Sequence, residues 1–173
     1  MKLTLVMERF ILHWGEMGWR WGINRSVAQV HALLMLSPKP LPADEISETL
    51  DVARSNVSTS LKELQGWGLV RVVHVFGDRR EHFETLRDVW EMFSVILRER
   101  KKRELDPTLA TLRECADDAK GSKADSDYTV ARLNELAAFI ELAGSWADRA
   151  QTLSPANTKR LFELGDKVFR MVS

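Results

Sequence analysis

Short hydrogen-bonding side chains cluster in residues 54–62, RSNVSTSLK, around apolar residues at helical spacing. Val57, Leu61 and Leu64 follow an i, i+4, i+7 pattern, which places them on one face of a helix. The other face then carries Arg54, Ser55, Asn56, Ser58, Thr59 and Lys62. Such hydroxyl and amide groups can bond to base edges or phosphates, and the two basic groups can neutralise phosphate. This chemistry fits a nucleic-acid contact, although a serine-rich face is also typical of a plain solvated surface.

A glycine followed by three charged residues, GDRR at residues 77–80, forms a second candidate contact. The preceding LVRVVHVF is rich in β-branched residues and EHFET follows, which predicts two strands joined by this turn. Arg79 and Arg80 at the tip of such a hairpin can enter a narrow, electronegative minor groove. Asp78 is predicted to orient a guanidinium, because a free carboxylate would repel phosphate. A charged hairpin tip is also typical of a device for solubility.

The elements before these residues follow from apolar periodicity and from breaker residues. LVMERFILHWGEMGW predicts an amphipathic helix that ends near Gly18 to Gly22. Its apolar face is predicted to consist of Val6, Phe10, His13 or Trp14, and Met17. NRSVAQVHALLMLS predicts a second helix, capped by Asn24 or Ser26 and ended by the prolines of SPKPLP. ADEISETL predicts a short third helix with acidic residues in its first turn.

The chain after the hairpin is predicted to be helical from Leu86 onward. Asp106-Pro107 predicts a break, with a cap followed by proline in the first position of a new helix. Ser154-Pro155 repeats this pattern before a last helix that ends near Val172. GSKADSD between them predicts a polar turn, and the charge run RERKKRE, residues 98–104, predicts a solvated or salt-bridged helical face.

This order of elements predicts a fold that is mainly α with a small β-hairpin wing. Helix, short helix, polar-faced helix and hairpin is the order of a winged helix-turn-helix module, whose polar-faced helix enters a major groove about 12 Å wide. We expect an N-terminal helix at a dimer interface in residues 1–21 and a winged helix-turn-helix domain that binds DNA in residues 22–86. Residues 87–173 are expected to form a helical dimerisation region.

Residues 21–93 resemble the GbsR branch of the MarR-type bacterial transcriptional regulators. The likeness covers about residues 8–115 and is most specific in SNVSTSLKELQGWGLV and GDRREHFET. It implies a homodimeric repressor of double-stranded DNA, with a recognition helix from Ser55 to Gly66 and a wing tip from Asp78 to Arg80.

Two positions depart from the pattern of that branch. Asp51 stands where a turn glycine is usual, and Ala53 stands where a capping serine is common. Aspartate tolerates a left-handed conformation better than most residues, whereas alanine cannot cap a helix. The two changes therefore concern local stability more than function.

The resemblance also implies a small effector, because the branch is associated with glycine betaine and choline. Proteins recognise the quaternary ammonium of such ligands by surrounding it with aromatic faces. The candidate cage residues are Trp14, Trp19, Trp21, Trp90, Phe93, Tyr128 and Trp146. Aromatic residues at helical spacing are, however, more often part of a core.

Composition and motifs weigh against several other classes of protein. The net charge is zero, but residues 54–103 hold 11 Lys and Arg against 7 Asp and Glu, so this half is basic. A single cysteine, Cys115, rules out an intrachain disulfide and suits the cytoplasm. No stretch approaches the roughly 20 apolar residues of a membrane helix. We therefore expect a cytoplasmic protein without a membrane partner.

Catalytic motifs are absent from the sequence. Its four histidines, His13, His31, His74 and His82, have no metal-binding spacing, and no nucleophile elbow or phosphate-binding glycine loop occurs. The sequence thus predicts neither an enzyme nor a cofactor or metal site. The main alternative to a DNA-binding regulator is a winged-helix module that binds another protein, because fold does not dictate function.

Overall fold

The computed structural model describes residues 1–121 and 127–172 and confirms the predicted fold class, mainly helical with a small β-sheet. Its helices are α1 (Leu5–Arg20), α2 (Arg25–Leu36), α3 (Ala43–Leu50), α4 (Arg54–Trp67), α5 (Val89–Arg100), α6 (Asp106–Gly121), α7 (Asp127–Gln151) and α8 (Pro155–Val172). Its strands are β1 (Leu41–Pro42), β2 (Val70–Val73) and β3 (His82–Thr85). The chain divides into two compact units, residues 1–89 and residues 90–173.

The first unit is built around α2. Val30 and Leu33 of this helix are fully buried, as are Ile46 of α3 and Val57 of α4. Asn24 caps α2, since its side chain accepts a hydrogen bond from the backbone N–H of Ser26 at 2.8 Å. The apolar spacing predicted for these three helices is therefore the spacing that forms the core.

The predicted apolar face of α1 is right in part, because Phe10, Trp14 and Met17 are half-buried while Val6 and His13 are exposed. Ile11, Gly15 and Gly18 are the buried residues of this helix, whereas Val6 is 67% exposed. A Cβ added to Gly18 would lie 2.6 Å from the Cβ of Ala28 in α2. The two helices approach each other through small residues, which a search for large apolar side chains does not detect.

The wing belongs to a three-stranded antiparallel sheet rather than to a two-stranded hairpin alone. The strand order is β1-β3-β2, with Val72 opposite Phe83 and Leu41 on the other side of Phe83. The sequence did not indicate β1, because its prolines were interpreted only as helix breakers. Pro42 fits here because β1 is an edge strand, where a missing N–H donor is tolerated.

The predicted break at Asp106-Pro107 is wrong, because the helix continues through it. A π-helical segment, Lys101–Leu105, joins α5 to α6, and the N–H of Asp106 bonds to the Lys101 carbonyl. Asp106 has helical dihedral angles, and the Thr108 hydroxyl donates to the Glu104 carbonyl at 2.5 Å. The wider turn thus accommodates a proline, which has no N–H to donate.

The start of α8 follows the prediction. Ser154 lies before Pro155, and its hydroxyl oxygen accepts a hydrogen bond from the Asn157 N–H at 3.3 Å. In the predicted polar turn GSKADSD, residues 122–126 lie outside the described residues.

Candidate nucleic-acid interface

The two faces of α4 divide as the apolar spacing predicts. Val57, Leu61 and Leu64 are buried, with exposed fractions of 2% or less. The exposed residues of this helix include Arg54, Ser55, Asn56, Ser58, Thr59 and Lys62. All six predicted contacts of the recognition helix therefore lie on its solvent side, and the DNA-binding role of each stays a prediction.

The turn between α3 and α4 is held by a residue with a positive φ angle. Asp51 has φ 52° and ψ 47°, the left-handed conformation that glycine usually adopts in such turns. Ser47 fixes the turn on both sides, since its carbonyl accepts from the Val52 N–H and its hydroxyl donates to the Val52 carbonyl. Ala53 makes no capping hydrogen bond through its side chain at the start of α4. Both expectations for these two departures are confirmed.

The wing tip contains a network of charged side chains centred on Arg80. The Arg80 Nε lies 3.0 Å from both carboxylate oxygens of Asp78, and its Nη2 donates to Asp78 Oδ2 at 2.6 Å. Its Nη1 donates to Asp44 Oδ2 in the first turn of α3 at 2.8 Å. These hydrogen bonds hold the pKa of Asp78 well below its usual range and also lower the pKa of Asp44. Arg79 is exposed to solvent beside this network.

A shallow cleft of about 330 Å³ lies among the start of α3, the start of α4 and the wing. Its lining includes three of the predicted DNA contacts, Arg54, Ser58 and Arg80, together with Asp44 and Glu81. The fold therefore brings the N-terminal end of the recognition helix and the base of the wing tip to one place. A nucleic acid that contacts one of these elements would run close to the other.

A buried histidine, His31, belongs to the framework of this surface. His31 is buried and its Nε2 lies 3.1 Å from the Thr85 hydroxyl, which itself donates to the Leu69 carbonyl at 2.9 Å. Because the single hydroxyl proton is used on Leu69, His31 must donate through Nε2. Burial lowers the pKa of His31 to about 4, so the ring is neutral at pH 7.

In the part of the chain that the structure describes, no group of three or more His, Cys, Asp or Glu could hold a metal ion.

The predicted cage aromatics are distributed over both units. Trp14, Trp19 and Trp21 belong to the first unit, where Trp14 packs against the rings of Phe10 and His31. Trp90, Phe93, Tyr128 and Trp146 belong to the second unit. Trp90 and Phe93 each have their ring centroid 5.4 Å from that of Phe162.

Three further residues bear on the predicted sites. Asp44 pairs with Arg80 across 36 positions of sequence, a contact that no local pattern can indicate. Phe76 is fully exposed beside Gly77 at the wing tip, and only its place next to a turn glycine could have drawn attention to it. Phe162 contacts two of the predicted cage aromatics and gives no signal beyond being an aromatic residue of the last helix.

Comparisons with known proteins agree with this geometry. Residues 21–81, from the end of α1 to the wing tip, match the model of the MarR family. A crystal structure of a transcriptional regulator is 18% identical, covers 84% of this chain and 95% of its own, and superposes with a TM-score of 0.60. The chain therefore has the fold of that regulator. No curated protein is significantly similar in sequence.

Two other solved structures align over most of the chain but superpose weakly. One is a mutant of S. aureus MepR bound to an oligodeoxyribonucleotide, 11% identical, with coverage of 98% and 94% and a TM-score of 0.39. The other is a MarR family transcription regulator, 20% identical, with coverage of 87% and 89% and a TM-score of 0.39. No described helix is long and apolar enough to cross a membrane.

Proposed function

We propose that this protein is a cytoplasmic transcriptional regulator that binds double-stranded DNA as a homodimer and represses transcription. The polar face of α4 enters the major groove, and the wing tip contacts the adjacent minor groove or backbone. Base contacts are assigned to Ser55, Asn56, Ser58 and Thr59, and phosphate or groove contacts to Arg54, Lys62 and Arg79. Membership of the GbsR branch is part of the same proposal.

A single observation carries this proposal. Helix α4, whose exposed face carries short polar and basic groups, begins beside the wing, and one cleft is lined by Arg54, Ser58 and Arg80. The MarR family match covers α4 and the wing as far as its tip. A plain solvated surface would not require the polar face and the wing to lie together.

Apolar side chains on the surface support a dimer. In α7 and α8, Leu136, Phe139, Leu142, Trp146, Phe162 and Leu164 are each between 45% and 66% exposed. A second copy of this chain would cover them, and a two-fold dimer would present two recognition helices to half-sites about 10 bp apart.

Selection from a pool of random double-stranded DNA with the purified protein tests the proposal. We expect enrichment of a pseudo-palindrome with half-sites about 10 bp apart, bound at about 10⁻⁸ to 10⁻¹¹ M. Asn56→Ala should relax the preference at one base position by about 1 to 3 kcal/mol. Gln65→Ala, an exposed change at the far end of the same helix, should leave the preference unaltered. A pool that enriches nothing would favour the alternative, a module that binds protein.

We also propose that a quaternary ammonium compound regulates the protein through aromatic residues of the second unit. The pairing of Trp90 and Phe93 with Phe162 supports this, because it gathers three rings at one place. Titration with choline and with glycine betaine should change the tryptophan fluorescence and the DNA affinity. If neither quantity changes, the ligand proposal fails while the DNA proposal stands.

A further inference from the structure

The side chains of Arg80, Asp78 and Asp44 form a brace between the wing and α3. Asp78 accepts hydrogen bonds from both the backbone N–H and the guanidinium of Arg80, at distances of 2.6 to 3.0 Å. The opposite side of the guanidinium donates to Asp44 Oδ2 at 2.8 Å. The planar fork of arginine suits this double contact, because its donors point in fixed directions.

The neighbouring Arg79 differs from Arg80 in its hydrogen bonds and ion pairs. Arg79 is exposed, and within residues 1–121 and 127–172 its side chain makes no hydrogen bond or ion pair. Arg80, in contrast, has two carboxylates within 3 Å, which compensate its charge. Three of the five N–H donors of Arg80 are already used on these carboxylates, so a contact with a phosphate or a groove must use the remaining two or break the pairs, whereas no such pair holds Arg79. The free-energy cost of breaking these pairs therefore favours Arg79 as the arginine that contacts DNA.

The brace also has a geometric consequence for the recognition helix. Asp44 and Arg80 line the same cleft as Arg54 and Ser58 at the start of α4. The turn at Asp51 ties α3 to α4, so a wing fixed to Asp44 is also fixed relative to α4. Two elements that must meet one stretch of DNA are thereby held at one spacing before binding, which reduces the ordering cost of association.

We propose that Arg80 is a positioning residue, which with Asp78 and Asp44 holds the wing in its DNA-binding position, and that Arg79 is the arginine that contacts DNA. This inference rests on the proposed function. It assigns to Asp44, an acidic residue, a contribution in favour of binding a polyanion. Direct repulsion between the Asp44 carboxylate and the phosphates would instead weaken DNA binding. The effect of removing this charge on DNA affinity therefore tests the inference.

The test compares Asp44→Asn with Glu48→Gln, a matched loss of one negative charge at an exposed position of the same helix. Affinity for a duplex selected by the wild-type protein is measured by fluorescence anisotropy across a salt series. We expect Asp44→Asn to weaken binding about threefold, in the range of an exposed ion pair, and Glu48→Gln to leave binding equal or slightly tighter. If Asp44→Asn binds as tightly as Glu48→Gln or more tightly, the brace has no part in recognition.

The salt dependence of the two arginine variants separates contact from positioning. Each phosphate that is neutralised contributes about 0.9 to the slope of log K against log[salt]. Arg79→Gln should lower the slope by about this amount, whereas Arg80→Gln should weaken binding with the slope nearly unchanged. A drop of about 0.9 in the Arg80→Gln slope, with no drop for Arg79→Gln, would reverse the assignment.

Amide hydrogen exchange in the free protein tests whether the brace holds the wing, and this test does not require DNA binding. In the free protein, Asp44→Asn should speed exchange in residues 74–81 relative to Glu48→Gln, because the wing tip loses its tie to α3. If the wild-type protein binds no duplex, the DNA proposal and the roles assigned to Arg79 and Arg80 both fail. If exchange in the wing is the same in both variants, the brace itself does not hold the wing.

Discussion

The two units of this molecule bury different kinds of side chain. In the first unit, Leu33, Leu41 and Ile46 are fully buried, so large aliphatic groups fill the core. In the second unit the buried residues are mostly small, such as Ala116, Ala137 and Thr158. Several large apolar residues of α7 and α8, among them Trp146, stay about half exposed. One copy of the chain thus completes the first core and leaves apolar surface on the second unit, where we propose that another copy packs.

Leu61→Ala tests the first half of this comparison and should have the largest effect. Leu61 is 2% exposed in α4, so its loss should lower the free energy of unfolding by about 2 to 5 kcal/mol through the cavity that it leaves. Urea denaturation measures this change. Leu142→Ala, at a side chain 60% exposed in α7, is the matched control and should lower monomer stability far less. Equal losses in the two variants would mean that the units do not differ as described.

Acidification should destabilise the first unit through His31. The buried ring has a pKa of about 4 instead of 6.5, so the unfolded chain binds a proton in this range while the folded chain does not. The stabilisation is complete above pH 6.5 and is lost as the pH falls towards 4, by up to about 3 kcal/mol. His31→Gln, which keeps a donor for Thr85, should flatten the pH dependence of urea unfolding in this window. Identical pH profiles for the two proteins would show that His31 is not responsible.

Trp146→Ala tests the second half of the comparison. If a second copy covers α7, loss of this side chain should weaken self-association by about 2 kcal/mol, or about 30-fold, as expected of a central interface tryptophan. Sedimentation velocity across a concentration series measures the monomer–dimer equilibrium. Lys159→Ala, an exposed change in α8 without an apolar group, should leave it nearly unchanged. A wild-type protein that stays monomeric at every concentration would reject the dimer.

Ala53→Ser should have the smallest effect, and in the stabilising direction. Ala53 occupies the cap position of α4 with φ −57° and ψ 138° and makes no capping bond. A serine hydroxyl there can accept from a free N–H of the first turn and should raise the free energy of unfolding by about 1 kcal/mol. Thermal and urea unfolding measure this gain. A loss of stability would mean that the backbone at this position does not allow a cap.

The sequence predicted the elements that local spacing determines. The buried and exposed faces of α4 follow from large aliphatic residues at intervals of three and four, and Asp51 was expected in its left-handed turn. The most buried positions of α1 include Gly15 and Gly18, which the sequence did not indicate because such small residues give no apolar signal. The π-helical segment was missed because Pro107 ordinarily ends a helix, and here a wider turn absorbs it.

The candidate site also has parts that local sequence patterns indicate and one contact that they cannot indicate. The polar face of α4 and the charged wing tip are local patterns, so the sequence could indicate both. The pair of Asp44 with Arg80 joins residues 36 positions apart and depends on how β1 and β3 bring the wing to α3. The sequence assigned Arg79 and Arg80 the same role because it could not show that, among the described residues, Arg80 has two carboxylate partners and Arg79 has none.

Binding of the purified protein to a labelled DNA fragment from upstream of its own gene, measured by fluorescence anisotropy across a salt series, tests the central claim most directly. We predict tight binding that weakens steeply as salt rises and that Arg79→Ala/Arg80→Ala loses while the protein stays folded. Binding that is insensitive to salt, or that the double variant retains in full, would contradict a DNA-binding wing.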